Sequence, residues 1–175
     1  PHYSRSGYIH PLHSPSGKIV TGDYSPDHVH QHGLFFAWTK STFRGKPTEF
    51  WNQAKKLGDI RFHRYLGEER RDESCSFLFE QIFTTGKDSD KPILRETWRI
   101  DVPGKPMPYH QFDLVSTQTC ATKDPLLIQK YHYGGMAIRG NPQWLKNGKM
   151  LTSEGKSAKN GNHSRPRWVA MYGPV

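Results

Sequence analysis

The chain has 175 residues, of which 34% are apolar, 13% aromatic and 23% charged, and its formal net charge is +9 with ten histidines counted as neutral. This length suits one domain with a single core, and the aromatic content is too high for a disordered chain. The longest apolar run, residues 34–38, is far shorter than the roughly 18 residues that a membrane-spanning helix needs. The sequence therefore predicts no membrane span, and it contains no segment with the pattern of a signal peptide.

The positive charge favours anionic partners in general. Most of the excess basic residues follow residue 145 and are not interleaved with aromatics, so nucleic acid is not the expected partner. Cys75 and Cys120 can form one disulfide, but their spacing does not show whether they do. We expect each cysteine to be a small buried residue.

The distribution of apolar residues predicts strands, because they recur with period two. In residues 93–100, for example, Leu94, Glu96, Trp98 and Ile100 share one face. Gly/Pro turns separate the segments, and only residues 49–57 are weakly helical in character. The predicted strands, in chain order, cover residues 19–21, 34–38, 76–84, 93–100, 111–117, 126–131 and 167–172.

This pattern predicts an all-β fold, an antiparallel β-sandwich with long loops and little helix. We expect residues 76–117 to form a three-stranded meander. Residues 1–175 are expected to form a single domain. Residues 141–165 are rich in Gly, Asn, Lys and Ser, and predict a long exposed loop.

The densest polar cluster precedes the predicted strand 34–38 and reads DHVHQHG, residues 27–33. If this segment is extended, His28, His30 and His32 face the same way. Converging imidazoles can bind zinc, copper, iron or nickel, with Asp27, His63 or His132 as a further ligand. The cofactor we expect, if one is bound, is one divalent metal ion such as zinc, calcium, manganese or copper. The same histidines can equally form a non-metal polar site or hydrogen bonds that shape a loop.

A second cluster, EFWN at residues 49–52, sets aromatic rings beside a carboxylate and an amide. Aromatic faces stack on the C–H faces of sugars, and Glu and Asn side chains bind hydroxyl groups. Trp38 and Trp51 are therefore candidate stacking residues, and Glu49 and Asn52 are candidate hydroxyl ligands. The alternative is that Trp51 belongs to the core.

A third cluster covers residues 130–140, KYHYGGMAIRG, whose paired glycines indicate a bulge or a close backbone approach. His132 can act as an acid or base near neutral pH. Arg139 can hold a carboxylate or polarise an oxygen. The alternative is a tyrosine-rich strand with a surface arginine.

Together the clusters predict a carbohydrate-active protein, with a saccharide, neutral or acidic, as its partner. The candidate catalytic residues are His30, His32, His132 and Arg139; the candidate substrate-binding residues are Trp38, Glu49, Trp51, Asn52 and Arg139; the candidate metal ligands are His28, His30 and His32. Epimerisation, lyase chemistry and hydrolysis all remain open. The alternative is a non-catalytic glycan-binding module, which needs the aromatic residues but not the histidines.

Six segments, in this order, resemble the bacterial PmoA-like family ("methane oxygenase PmoA"). They are GYIHPL at residues 7–12, SGKIVT at 16–21, DHVHQHGLFFAW at 27–38, EFWN at 49–52, GGMAIR at 134–139 and RWVAMYG at 167–173. The resemblance implies a galactose-mutarotase-like, or supersandwich, β fold and a role in polysaccharide metabolism. It also implies a periplasmic or extracellular location. Because family members continue past the position of Val175, it implies that residues 1–175 are a fragment of a longer domain. The family label itself suggests a further alternative, an oxygen-using metalloenzyme.

Overall fold

The computed structural model describes residues 7–86 and 90–175. The chain is 45% strand and 4% helix, with several antiparallel sheets of a sandwich-type all-β fold. The predicted fold class is confirmed. Where the sequence predicts one domain, the chain divides into two compact units. Unit 1 is drawn from residues 1–8 and 36–136, and unit 2 from residues 9–35 and 137–175.

Twelve strands and two short helical segments follow one another along the described chain. They are β1 (Tyr8–Ile9), β2 (Leu34–Ala37), β3 (Ser41–Phe43), β4 (Lys46–Thr48), a 3-10 helix (Gln53–Lys55), β5 (Asp59–Arg71), β6 (Ser74–Thr84), β7 (Pro92–Pro103), β8 (Asp113–Cys120), β9 (Leu126–Ile128), β10 (Gly135–Ile138), α1 (Trp144–Asn147), β11 (Lys149–Thr152) and β12 (Val169–Tyr172). In residues 7–86 and 90–175, no helix has the length and apolar character that crossing a membrane requires.

The largest sheet lies in unit 1 and has the strand order β5-β6-β7-β8. Every neighbouring pair in it is antiparallel, so the predicted meander of β6, β7 and β8 is confirmed. The alternation of β7 gives the sheet two different faces. Leu94, Glu96, Trp98 and Ile100 are buried on one face, and the residues between them are half-buried.

Strand β5 is the longest element of the fold, yet the period-two pattern does not predict it. The C-terminal half of β5 is mostly exposed and rich in Arg and Glu. The register between β5 and β6 shifts after Phe62 and again after Tyr65. Such bulges reverse the alternation of faces, so the sequence of β5 lacks a continuous period-two pattern. The mixed charges of residues 68–72 predict a solvated turn, but this run lies mostly in the strand, and the turn itself is Asp72–Glu73.

The apolar core of unit 1 packs on the buried face of this sheet. Phe50 and Phe83 are both fully buried, with ring centroids 5.0 Å apart in an edge-to-face arrangement. Trp98 is fully buried as well and contacts Phe79. A second, three-stranded sheet of the order β4-β3-β9 belongs to the same unit. Short strands of this kind depend on packing rather than on their own few hydrogen bonds.

Unit 2 is held together mainly by polar contacts. Among its described residues, Phe35 is the one large apolar side chain that is buried, whereas Thr21, Ser25, His32 and Thr152 are buried polar residues. Its regular structure is the antiparallel pair β11-β12 and the isolated bridges His13–Ile19 and Thr21–Gly140. The remaining short sheet has three strands in the order β1-β2-β10.

The sequence mispredicted two local features. Residues 141–165 are largely exposed, as expected, but they contain the short helix α1 and the strand β11 rather than one long loop. Trp144 at the start of α1 donates its indole N–H to the carbonyl of Pro174. Cys75 and Cys120 are both free, and Cys75 is half-buried while Cys120 is exposed, so the expectation of two buried cysteines is wrong.

Replacing Phe83 with alanine tests this description of the core. Phe83→Ala removes a fully buried ring that packs on Phe50, so the free energy of unfolding in urea should fall by about 3–5 kcal/mol. Val115 lies on the outer side of β8 and is 50% exposed, and Val115→Ala should change the same quantity by less than about 1 kcal/mol. An equal loss in the free energy of unfolding in the two variants would contradict the assignment of Phe83 to the buried face and Val115 to the outer face of the sheet.

Candidate functional site

Two segments that are distant in sequence meet in unit 1, and together they contain most of the predicted saccharide ligands. One follows β4 and carries Glu49, Trp51 and Lys55; the other follows β9 and carries Tyr131, His132 and Tyr133. We call these six residues the tyrosine cluster.

The two residues that follow β2 join these segments through hydrogen bonds. The carbonyl of Trp38 accepts from the backbone N–H of Phe50 at 2.9 Å, and the hydroxyl of Thr39 donates to the carbonyl of Tyr133 at 2.8 Å. The glycine after Tyr133 is part of this arrangement. Gly134 has a φ of +141°, and a Cβ there would lie 2.8 Å from the Thr39 hydroxyl oxygen. The close backbone approach that the paired glycines indicate is therefore present.

The aromatic rings of the tyrosine cluster form one continuous group. The Tyr133 ring meets Trp51 at 5.2 Å and Tyr131 at 5.0 Å between centroids, both edge-to-face. His132 contacts both tyrosine rings, at 4.2 Å and 4.6 Å. Trp51 is 8% exposed, whereas Tyr131 and Tyr133 are 45% and 43% exposed. Trp51 therefore forms the floor of the group, and the two tyrosines carry its accessible surface.

The polar part of the tyrosine cluster is the pair Glu49–Lys55. Glu49 is buried, and its Oε2 accepts from Lys55 Nζ at 2.7 Å. Within the described residues, the buried Oε1 of Glu49 has no hydrogen-bond partner. The hydrogen bond to Glu49 raises the pKa of Lys55, so that its ammonium group stays charged.

The phenol of Tyr133 stays protonated at neutral pH. Its neighbours partly desolvate it, which raises the pKa of Tyr133, and the hydrogen bond with Tyr131 and the charge of Glu49 act in the same direction. The cluster thus combines exposed aromatic surface, phenol groups that donate and accept, an ammonium donor and a carboxylate acceptor. This combination binds sugars well, because a sugar has apolar C–H faces and a rim of hydroxyl groups.

The structure brings together three of the predicted site residues, Glu49, Trp51 and His132, which come from two separate sequence clusters. Asn52 lies next to them, but its side chain accepts from the backbone N–H of Ala54 and so caps the 3-10 helix. Trp38 donates its indole N–H to Gln118 Oε1 at 2.8 Å, and its ring packs edge-to-face on Phe36.

The other predicted residues, His28, His30, His32 and Arg139, belong to unit 2. The extended conformation expected for residues 27–33 is wrong. The segment forms two consecutive turns, closed by backbone hydrogen bonds from His28 to Ser25 and from Gln31 to His28. Turns do not alternate side chains as a strand does, so the three histidines do not converge on one point.

Each of these histidines has its own surroundings. His28 is bonded to Asp27 at 3.0 Å and its ring contacts His30 edge-to-face. His32 is fully buried, and its Nδ1 lies 2.5 Å from an oxygen of Asp23. Within residues 7–86 and 90–175, no three or more His, Cys, Asp or Glu side chains are placed to hold a metal ion. The geometry gives no support to the predicted metal centre, and burial removes His32 from contact with a substrate.

Arg139 is tied into the same turns by its side chain. Its guanidinium donates to the carboxylate of Asp27 and, at 3.1 Å, to the side-chain oxygen of Gln31. These bonds connect the residue that follows β10 to the turn segment. The hydrogen bond from Arg139 is the largest effect on Asp27 and lowers the pKa of that carboxyl from 3.8 to about 2.

Glu96 is a buried polar residue that was not predicted as a site residue. It is fully buried in β7 and accepts hydrogen bonds from the side chains of Gln81, Ser116 and Gln118. The signal was present in the sequence, because a glutamate that shares a strand face with Leu94 and Trp98 must be buried with them. A buried carboxylate of this kind needs specific partners.

The chain belongs to the family of unknown function DUF6807, which matches residues 1–175. No curated protein and no solved structure matches the chain. The family thus assigns no chemistry to the tyrosine cluster.

The ion pair between Asp27 and Arg139 can be tested through the pH dependence of stability. Because the folded state lowers the pKa of Asp27 from 3.8 to about 2, the pair stabilises the fold fully above about pH 4, and this contribution is lost as the pH falls towards 2. Asp27→Asn should therefore destabilise the protein at about pH 5, and the difference from the wild type should shrink at about pH 2. Urea unfolding of both proteins at the two pH values measures this difference in the free energy of unfolding. A difference that does not change with pH would contradict the pairing of ionised Asp27 with Arg139.

Proposed function

We propose that the chain is a carbohydrate-active protein that binds a saccharide at the tyrosine cluster. The observation that carries the proposal is the buried Glu49 carboxylate. One of its oxygens is bound to Lys55, and the other has no hydrogen-bond partner within the described residues, beside two tyrosine rings that are nearly half-exposed. An unsatisfied buried acceptor costs about 1–3 kcal/mol, and a sugar hydroxyl donated to it would remove that cost.

Access to Glu49 depends on Lys55. The Lys55 side chain is 54% exposed, so it can move aside without disturbing the core. A sugar that lies on the rings of Tyr131 and Tyr133 could then donate a hydroxyl to the carboxylate of Glu49 and accept from the ammonium of Lys55. The same ammonium would also suit the carboxylate of an acidic sugar.

The geometry favours binding over hydrolysis. Glycoside hydrolysis commonly uses two carboxyl groups roughly 5–9.5 Å apart, and the tyrosine cluster contains one, Glu49. Of the histidines predicted to be catalytic, His30 and His32 lie in the turns of residues 27–33, with His32 buried, and His132 lies in the tyrosine cluster. Of the two carbohydrate hypotheses, the glycan-binding module is therefore the one that this geometry favours. The resemblance to the PmoA-like family, itself a prediction, favours the same class of ligand.

A screen against neutral and uronate-containing oligosaccharides on a glycan array tests the proposal. We expect the wild-type protein to bind at least one of them. In calorimetric titration with that oligosaccharide, Tyr133→Ala should lower the affinity by about tenfold or more, because about 1.4 kcal/mol corresponds to a factor of ten. Glu49→Gln keeps the shape of the side chain, but one oxygen becomes a donor group, and it should also weaken binding.

Tyr109 provides the matched control. It is a tyrosine of similar exposure, 49%, in unit 1, and Tyr109→Ala should bind like the wild type. Binding that survives Tyr133→Ala, or an array without a hit, would overturn the proposal. Affinity that falls steeply with salt for every anionic probe would instead show that the +9 charge attracts polyanions.

A further inference from the structure

A row of three polar side chains crosses the buried face of the large sheet in unit 1. Gln81 on β6, Glu96 on β7 and Gln118 on β8 are direct register partners. Gln81 and Glu96 are fully buried, among apolar neighbours such as Trp98. Polar groups in such a place must satisfy one another or destabilise the fold.

Glu96 is the acceptor at the centre of this row. Its Oε2 accepts from Gln81 Nε2 at 2.6 Å, and its Oε1 accepts from Ser116 Oγ at 2.5 Å and from Gln118 Nε2 at 3.0 Å. Within residues 7–86 and 90–175, three neutral side-chain donors hold this carboxylate.

This arrangement fixes the orientation of one amide. A carboxylate only accepts, so Gln118 must present its NH₂ group to Glu96. Its carbonyl oxygen then points away and accepts from Trp38 Nε1 at 2.8 Å. In the flipped orientation, oxygen would face the Glu96 carboxylate and the NH₂ group would face the Trp38 N–H, so both contacts would be repulsive.

We propose that Glu96 is a positioning residue that sets the orientation of the Trp38 indole through Gln118. The ring of Trp38 is half-buried and packs edge-to-face on Phe36 at 5.0 Å. Because its N–H is occupied by Gln118, Trp38 offers a ligand its ring face and no hydrogen bond. Only this last step, the use of the ring face by a saccharide, rests on the proposed function.

The test is the hydrogen exchange of the Trp38 indole N–H, followed by NMR in the protein without added ligand. The signal is assigned by its loss in Trp38→Phe. Glu96→Met removes both acceptor oxygens that orient Gln118, and Gln118→Met removes the acceptor of Trp38 itself. We expect each variant to raise the exchange rate at Trp38 by about tenfold or more, as a lost hydrogen bond of roughly 1.4 kcal/mol would.

Ser116→Ala is the control for general loosening of the sheet. It removes another donor to the same carboxylate and a long contact at 3.5 Å from Gln118 Nε2 to Ser116 Oγ, but it does not change either partner of the bond between Glu96 and Gln118. The exchange rate at Trp38 should stay near the wild-type value in this variant. If Glu96→Met does not fold, Glu96→Asp keeps a carboxylate but shortens its reach, and should likewise raise the exchange at Trp38.

Two results would overturn the inference. One is unchanged exchange at Trp38 in the folded Glu96 variant; the other is the same increase in Ser116→Ala as in Glu96→Met. The array measurement on the wild-type protein keeps the proposed function separate. A wild type that binds no saccharide would refute that function, but it would not affect the inference that Glu96 orients the Trp38 indole through Gln118.

Discussion

The buried carboxylate of Glu96 is the constraint on which the arrangement of unit 1 depends. Moving a carboxylate out of water costs several kcal/mol, and here hydrogen bonds from two strands offset the cost. Gln81 donates from β6, and Ser116 and Gln118 donate from β8. The three strands must therefore keep their register, because a slip by one residue would separate every donor from the carboxylate.

Hydrogen bonds of Trp38 and Thr39 connect this buried row to the tyrosine cluster. Gln118 accepts from the indole N–H of Trp38, and the carbonyl of Trp38 accepts from the backbone N–H of Phe50. The hydroxyl of the next residue, Thr39, donates to the carbonyl of Tyr133. Glu49 and Trp51 flank Phe50 in the chain. The tyrosine cluster is thus attached to the buried row by consecutive hydrogen bonds. A rigid support of this kind is what a binding surface needs if its rings are to keep one orientation.

The strands that could be predicted are those with regular alternation. Strands β6, β7 and β8 have one buried face each, so period two identifies them. Strand β5 could not be identified, because bulges near Phe62 and Tyr65 shift its alternation and its outer half is charged. The histidine segment was mispredicted because His28, His30 and His32 have the spacing of a strand, while Ser25 and Gln31 close turns around them.

Three of the six residues of the candidate site were predicted as site residues from the sequence, but not as one site; Lys55, Tyr131 and Tyr133 were not predicted. Glu49 and Trp51 lie some 80 positions before His132, and local spacing carries no information about such contacts. The hydrogen bond that brings them together joins Thr39 to Tyr133, which are 94 positions apart. Arg139 was predicted as a ligand anchor because its residue type suits that role; its pairing with Asp27, 112 positions earlier, could not be foreseen.

The most direct test of the account is to map where a saccharide contacts the protein. Backbone amide shifts in a ¹⁵N-labelled sample would be followed while the oligosaccharide selected on the array is added. The account predicts that the largest changes fall at Tyr131, His132, Tyr133 and Gly134 and at Lys55, with little change at residues 27–33. Changes concentrated at His28 and His30 instead, with none at the tyrosines, would contradict it.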